Sequence, residues 1–151
     1  MMPKIFSAKD LISVKAQMKL WASELGFCMI GIAGTDLSQE EARLFEWLAD
    51  GRHGDMHYMA KHGDRRTKPD AIHPGTIRVV SVRMDYFPDS ATPPTEILQD
   101  STRGYVSRYA LGRDYHRLMR RKLQKLADLI SGEVGPFRYR AFVDSGPVME
   151  K

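Results

Sequence analysis

The sequence predicts an α/β domain in which a small central sheet is flanked by helices. Three observations point there: apolar runs with strand-like and helix-like spacing alternate along the chain, the segments between the strands are long enough for parallel crossovers, and turn residues punctuate each change. With 151 residues and one domain's worth of chain, residues 1–151 are long enough to bury a core.

The first element is a helix. Ser7 with Asp10 three positions on resembles a capping box, and Leu11, Val14, Met18, Trp21 and Leu25 follow at helical spacing until Gly26 stops the run. Phe27 to Ala33 is a short apolar run read as a buried strand, with Cys28 as one of its small hydrophobes. Ser38 and Glu41 form a second capping-box pattern, followed by Ala42, Phe45, Leu48 and Ala49 on one helical face.

Residues 55–76 begin as a helical turn and become a loop with two prolines, and Ile77 to Tyr86 reads as a Val-rich strand. Residues 87–103, with three prolines among Asp, Ser and Thr, read as a surface loop. A long helix is expected from about Asp114 to Ser131, its apolar face made by Tyr115, Met119, Leu123, Leu126 and Ile130, with Gly132 and Gly135 at its end. Phe137 to Val143 reads as a last strand that no helix follows.

Composition narrows the chemistry. One cysteine excludes an internal disulfide and fits a reducing cytoplasm, and one thiol cannot hold an iron–sulfur cluster. No apolar stretch approaches the ~20 residues of a bilayer span, and the N-terminus does not read as a secretory signal. His53 and His57 stand four apart, but Gly54 interrupts them and no third ligand is suitably spaced, so no metal site is assigned. A Walker loop, a dinucleotide glycine fingerprint and a nucleophile elbow are all absent, and Ser107 and Ser145 have no evident base partners.

The net charge is +4, and its distribution matters more than its size. From Arg103 to Lys125 eight basic residues face the single acid Asp114. The expected helix gathers Arg113, Arg117, Arg120 and Arg121 on neighbouring parts of one face, with Tyr105, Tyr109 and Tyr115 interleaved nearby. A basic helical face is most often only solvated. A one-signed run repels itself unless an anion neutralises it, and tyrosine with arginine is the mixture that stacks on bases and grips phosphate. Arg65, Arg66 and Lys68 offer a smaller anion contact or plain surface charge. Asp144, where a strand runs out into Ser145, Gly146 and Pro147, is either presented to a ligand or accepts turn amides.

The stretches WLADGRHGDMHYMAKH, RRTKPDAIHPGTIRVVSVRMDY, GYVSRYALGRDYHRLMRRKL and FVDSGPVMEK, in this order and spacing, resemble the epoxyqueuosine reductases over nearly the whole chain. The resemblance implies reduction of the epoxide of epoxyqueuosine in the anticodon loop of tRNA, with cobalamin and two [4Fe–4S] clusters as cofactors. It further implies that Arg66, Ser107 and Asp144 contact cobalamin and that Asp144 is the general acid. The family continues well beyond this length, into a ferredoxin-like domain carrying the cluster cysteines, and Lys151 stands where relatives carry arginine. The chain therefore resembles an incomplete N-terminal, cobalamin-contacting domain, expected to be inactive alone, with a separate C-terminal half as one partner. Two other readings stay open: a stand-alone RNA-binding remnant without redox activity, and a corrinoid-binding redox protein acting on a small molecule. Residues 144–151 have no following element to pack on and are expected to be mobile.

Overall fold

A computed structural model describes residues 6–87, 91–144 and 146–149. It is helix-rich with one small sheet, an α/β arrangement as the sequence predicts. The elements run α1 (Ala8–Glu24), β1 (Met29–Ala33), α2 (Ser38–Ala49), α3 (Tyr58–Lys61), a 3₁₀ turn (Gly63–Arg66), α4 (Pro69–Ile72), β2 (Val79–Arg83), α5 (Pro94–Gln99), a second 3₁₀ turn (Arg108–Ala110) and α6 (Tyr115–Val134). The chain divides into two compact units, the first made of residues 1–29 and 82–135, the second of 30–81 and 136–151.

In the first unit α1 packs on α6. Ser7 caps α1 as its sequence predicts: its hydroxyl accepts the Asp10 amide at 3.2 Å, and the Asp10 carboxylate accepts the Ser7 amide at 2.9 Å. Two otherwise orphaned amides are thus satisfied at the helix start. Met18, Ala22, Phe27 and Leu126 are buried and form the core of this unit. Gly26 turns the chain out of α1 with φ +81°, a conformation that disfavours a side chain, and a Cβ there would sit 3.0 Å from Lys122 Nζ. The long helix matches its expected span and stripe: Leu126 is buried, and Tyr115, Met119, Leu123 and Ile130 are half-buried. It continues through Gly132 and ends at Gly135, with φ +95°.

The second unit buries Leu37, Leu44, Thr67, Pro69 and Val143. The apolar side of α2 is therefore centred on Leu44; Phe45, expected to face inward, is 42% exposed. The helix begins at Ser38 itself, with Leu37 in the cap position and no side-chain cap, so the expected Ser38–Glu41 capping box does not form. Instead Asp36 Oδ1 accepts the Ser38 amide at 3.1 Å, and Glu41 turns to Thr67.

The sheet differs most from expectation. Among the described residues it has two strands, β1 and β2, and they pair antiparallel rather than through a parallel crossover. The connection between them is broken by Pro69 and Pro74 into short helical turns, which return the chain alongside its entry strand. Both strands leave much of their length exposed, so the run beginning at Phe27 is buried only at Phe27. Cys28 is exposed, with its Sγ 3.2 Å from Arg83 Nε, and is not a core residue.

Residues 137–143, expected to be a strand, form neither strand nor helix. Side chains tether them: Arg138 donates to the Pro74 carbonyl at 3.4 Å and Arg140 to the Ile72 carbonyl at 3.3 Å. The expected loop at 87–103 contains the helical turn α5, opened by Pro94 at its first position, where a missing amide costs nothing.

Candidate functional site

The second unit holds two of the three expected cofactor contacts. Arg66 ends the 3₁₀ turn, half-buried, with Nε donating to the Met59 carbonyl at 3.1 Å and Nη2 to the Tyr58 carbonyl at 3.1 Å. These bonds hold the guanidinium against the backbone of α3. A guanidinium carries five N–H donors, more than α3 uses. The Arg66 carbonyl accepts the Met149 amide at 3.0 Å.

Asp144 is exposed, immediately after buried Val143. The Gly146 amide donates to the Val143 carbonyl at 2.7 Å, closing a tight turn around it. Ser145 lies outside the described residues. Val148 and Met149 are half-buried, and Met149 is bonded to Arg66. The stretch after Asp144 thus has a packing partner that sequence reasoning did not anticipate, because the partner is a carbonyl far away in the chain.

Thr67 is the buried polar residue of the described structure, 3% exposed. Its hydroxyl lies 2.9 Å from Glu41 Oε1 and 3.0 Å from the Asp64 carbonyl. Lys68 Nζ stands 3.0 Å from Asp64 Oδ2 and 3.6 Å from Glu41 Oε1. Lys68 holds the Asp64 carboxyl below its ordinary range, first by hydrogen bonding and then by charge, and Asp64 raises Lys68 in return. Both groups are exposed, so solvent screens the pair and it contributes little to stability. The Thr67 bond, part-buried, matters more.

In the first unit Ser107 is exposed at the start of the second 3₁₀ turn, where its carbonyl accepts the Ala110 amide at 2.9 Å. Its neighbour Arg108 is held in place, donating to the Thr92 carbonyl with its guanidinium 5.3 Å from the Phe87 ring centre.

The α6 arginines lie as the spacing predicts, except that Arg113 precedes the helix. Arg117, Arg120 and Arg121, with Gln124, line an open depression of ≈ 560 Å³. Asp114 caps the helix by accepting the His116 amide at 3.0 Å, and these bonds to His116 hold its carboxyl below the ordinary range. Its other oxygen is 3.8 Å from Arg117 Nε. Tyr115 stacks on His116, centroids 4.1 Å apart, and Tyr109 meets Tyr115 edge-on at 6.2 Å. An aromatic platform therefore adjoins the basic face. Sequence reading found its tyrosines but not His116.

These residues suit a corrinoid in part. Within the second unit, the remaining donors of Arg66 suit the amide-rich edge of such a ring, and the exposed Asp144 carboxyl offers an acceptor. They do not suit iron–sulfur clusters, since the sequence has one cysteine and the described residues contain no metal-holding group. Among the described residues no helix is long and apolar enough to cross a membrane.

Helix-rich with one two-stranded sheet among the described residues, the chain has the fold class of a small α/β domain. The family model "Epoxyqueuosine reductase QueG, DUF1730" matches residues 66–145, more than half of the chain, and the chain belongs to that family. It is 51% identical over 150 residues to an epoxyqueuosine reductase of Xanthomonas campestris, covering 99% of this chain and 42% of the relative. A Pseudomonas aeruginosa epoxyqueuosine reductase is 51% identical over 96% of this chain, and one from Aliivibrio fischeri 54% over 89%, with 40% and 36% of those relatives covered. The chain thus spans about two fifths of the length of these relatives. No solved structure matches it.

Proposed function

We propose that this chain is the N-terminal, cobalamin-contacting part of a cytoplasmic epoxyqueuosine reductase acting on tRNA. The observation that carries the reading is the family match over residues 66–145, which contains Arg66, Ser107 and Asp144 together. Reduction of the epoxide to a carbon–carbon double bond takes two electrons and two protons and releases the oxygen as water. Cobalamin, when bound, supplies the redox-active cobalt for that reduction. Arg66, braced on α3, orients the corrinoid edge by hydrogen bonding. Asp144, held at the chain return, donates a proton to the departing epoxide oxygen, where a positioned acid contributes typically ~10²–10⁴-fold.

Arg117, Arg120 and Arg121 grip tRNA phosphates, and Arg113 with the Tyr109–Tyr115 platform extends that surface. The two [4Fe–4S] clusters that the resemblance implies have no ligand set in these residues, which hold one cysteine.

The test is queuosine content. In a strain that accumulates epoxyqueuosine, a full-length protein carrying this domain should restore queuosine to tRNA hydrolysates, and residues 1–151 alone should not. Restoration by 1–151 alone would overturn the reading of this chain as a part. Failure of the full-length protein, with tRNA binding intact, would favour an RNA-binding protein without redox activity.

A further inference from the structure

We propose that Glu41 and Thr67 are positioning residues whose part-buried hydrogen bond fixes the turn carrying Arg66 and, through the Arg66 carbonyl, the return of the chain past Asp144. This deepens the cobalamin reading above and rests on it for its catalytic meaning.

Four observations within one unit carry it. Thr67 is 3% exposed, and a buried hydroxyl needs a partner. The partner is the Glu41 carboxylate at 2.9 Å, provided by α2, an element distant in sequence from the turn. A hydrogen bond to a carboxylate is about twice as strong as a neutral one, and part-burial reduces the competition of water, while the same Oε1 also lies 3.6 Å from Lys68 Nζ. The same hydroxyl lies 3.0 Å from the Asp64 carbonyl, so its one proton is shared between α2 and the turn Gly63–Arg66.

The next residue back, Arg66, then faces two ways. Its guanidinium reaches the carbonyls of Tyr58 and Met59, and its own carbonyl receives the Met149 amide. Rotating the 66–67 peptide would break the Met149 bond to the Arg66 carbonyl and the 3.1 Å bond of the Thr67 amide to the Asp64 carbonyl. The Glu41–Thr67 bond opposes that rotation. Glu41 is thereby diverted from capping its own helix, which is the role its sequence pattern suggests.

Amide exchange tests the coupling directly. Thr67→Val removes the hydroxyl at nearly constant shape and should speed exchange of the Met149 amide by about tenfold, the scale of removing one buried hydrogen bond. Thr67→Ser, which restores the hydroxyl, should return it to near the parent rate. The Leu44 amide in α2 of the same unit should be unaffected. An unchanged Met149 rate in Thr67→Val overturns the proposal, as does equal acceleration at Leu44 and Met149, which marks general loosening instead. If Thr67→Val fails to fold, Glu41→Gln decides: it keeps an acceptor without the charge and should give a smaller acceleration confined to Met149, and no change there sinks the idea.

Hydroxocobalamin titration of the full-length protein separates this from the cofactor reading. Arg66→Ala should weaken binding. Binding at parent strength would remove Arg66 as a cobalamin contact, while the Met149 exchange result would still decide the positioning role.

Discussion

The Met149 amide donates to the Arg66 carbonyl at 3.0 Å, so the segment that carries Asp144 is anchored to the turn that carries Arg66. The anchor predicts a division of labour. In the full-length protein Asp144→Asn keeps every backbone bond of the turn, and should preserve folding and cobalamin binding while lowering kcat by about 10²–10⁴-fold. Turnover of epoxyqueuosine near the parent rate would reduce Asp144 to a turn residue.

The basic face of α6 predicts a salt effect. Replacing Arg117, Arg120 and Arg121 with Ala should weaken tRNA binding and reduce the slope of log affinity against log salt by about one for each phosphate no longer gripped. Because these side chains lie at the surface, the melting temperature should hardly move. An unchanged slope would leave the helix as a solvated face.

The cap of α6 predicts a pH effect. Bonds to His116 lower the folded pKa of Asp114 below its unfolded value. A depressed carboxylate stabilises the fold fully above the unfolded pKa, and the contribution disappears as pH falls through the folded one. Helicity of the parent should therefore decline in acid more steeply than that of Asp114→Ala, which lacks the cap at every pH. Parallel acid profiles in circular dichroism would contradict this.

The core of the first unit predicts a cavity cost. Leu126, 2% exposed, lies on the α6 stripe, and α6 packs on α1. Leu126→Ala should destabilise by about 2–5 kcal/mol in denaturant titration. A change below about 1 kcal/mol would show that this site collapses freely or is less packed than its burial indicates.

Local signals set the helices. The Ser7–Asp10 box, the apolar stripe of α6 and the glycines at 26 and 135 act over a few residues, and each produced the expected element. The basic face of α6 was legible for the same reason: residues three and four apart share a face wherever the helix sits.

Only tertiary structure decided the rest. Residues 137–143 have strand-like composition, yet strand formation needs a neighbour's backbone, and here arginine side chains supply the tether instead. Glu41 has two suitable partners by chemistry, its own helix start and the Thr67 hydroxyl, and burial of Thr67 selects the second. The resemblance already placed Arg66 and Asp144 among the site residues, but their connection runs through backbone atoms, which every residue type carries. By itself the sequence determined the long helices and the basic face of α6; the long-range hydrogen bonds that join Glu41, Thr67, Arg66 and the chain's return depend on where the chain comes back, which no local pattern encodes.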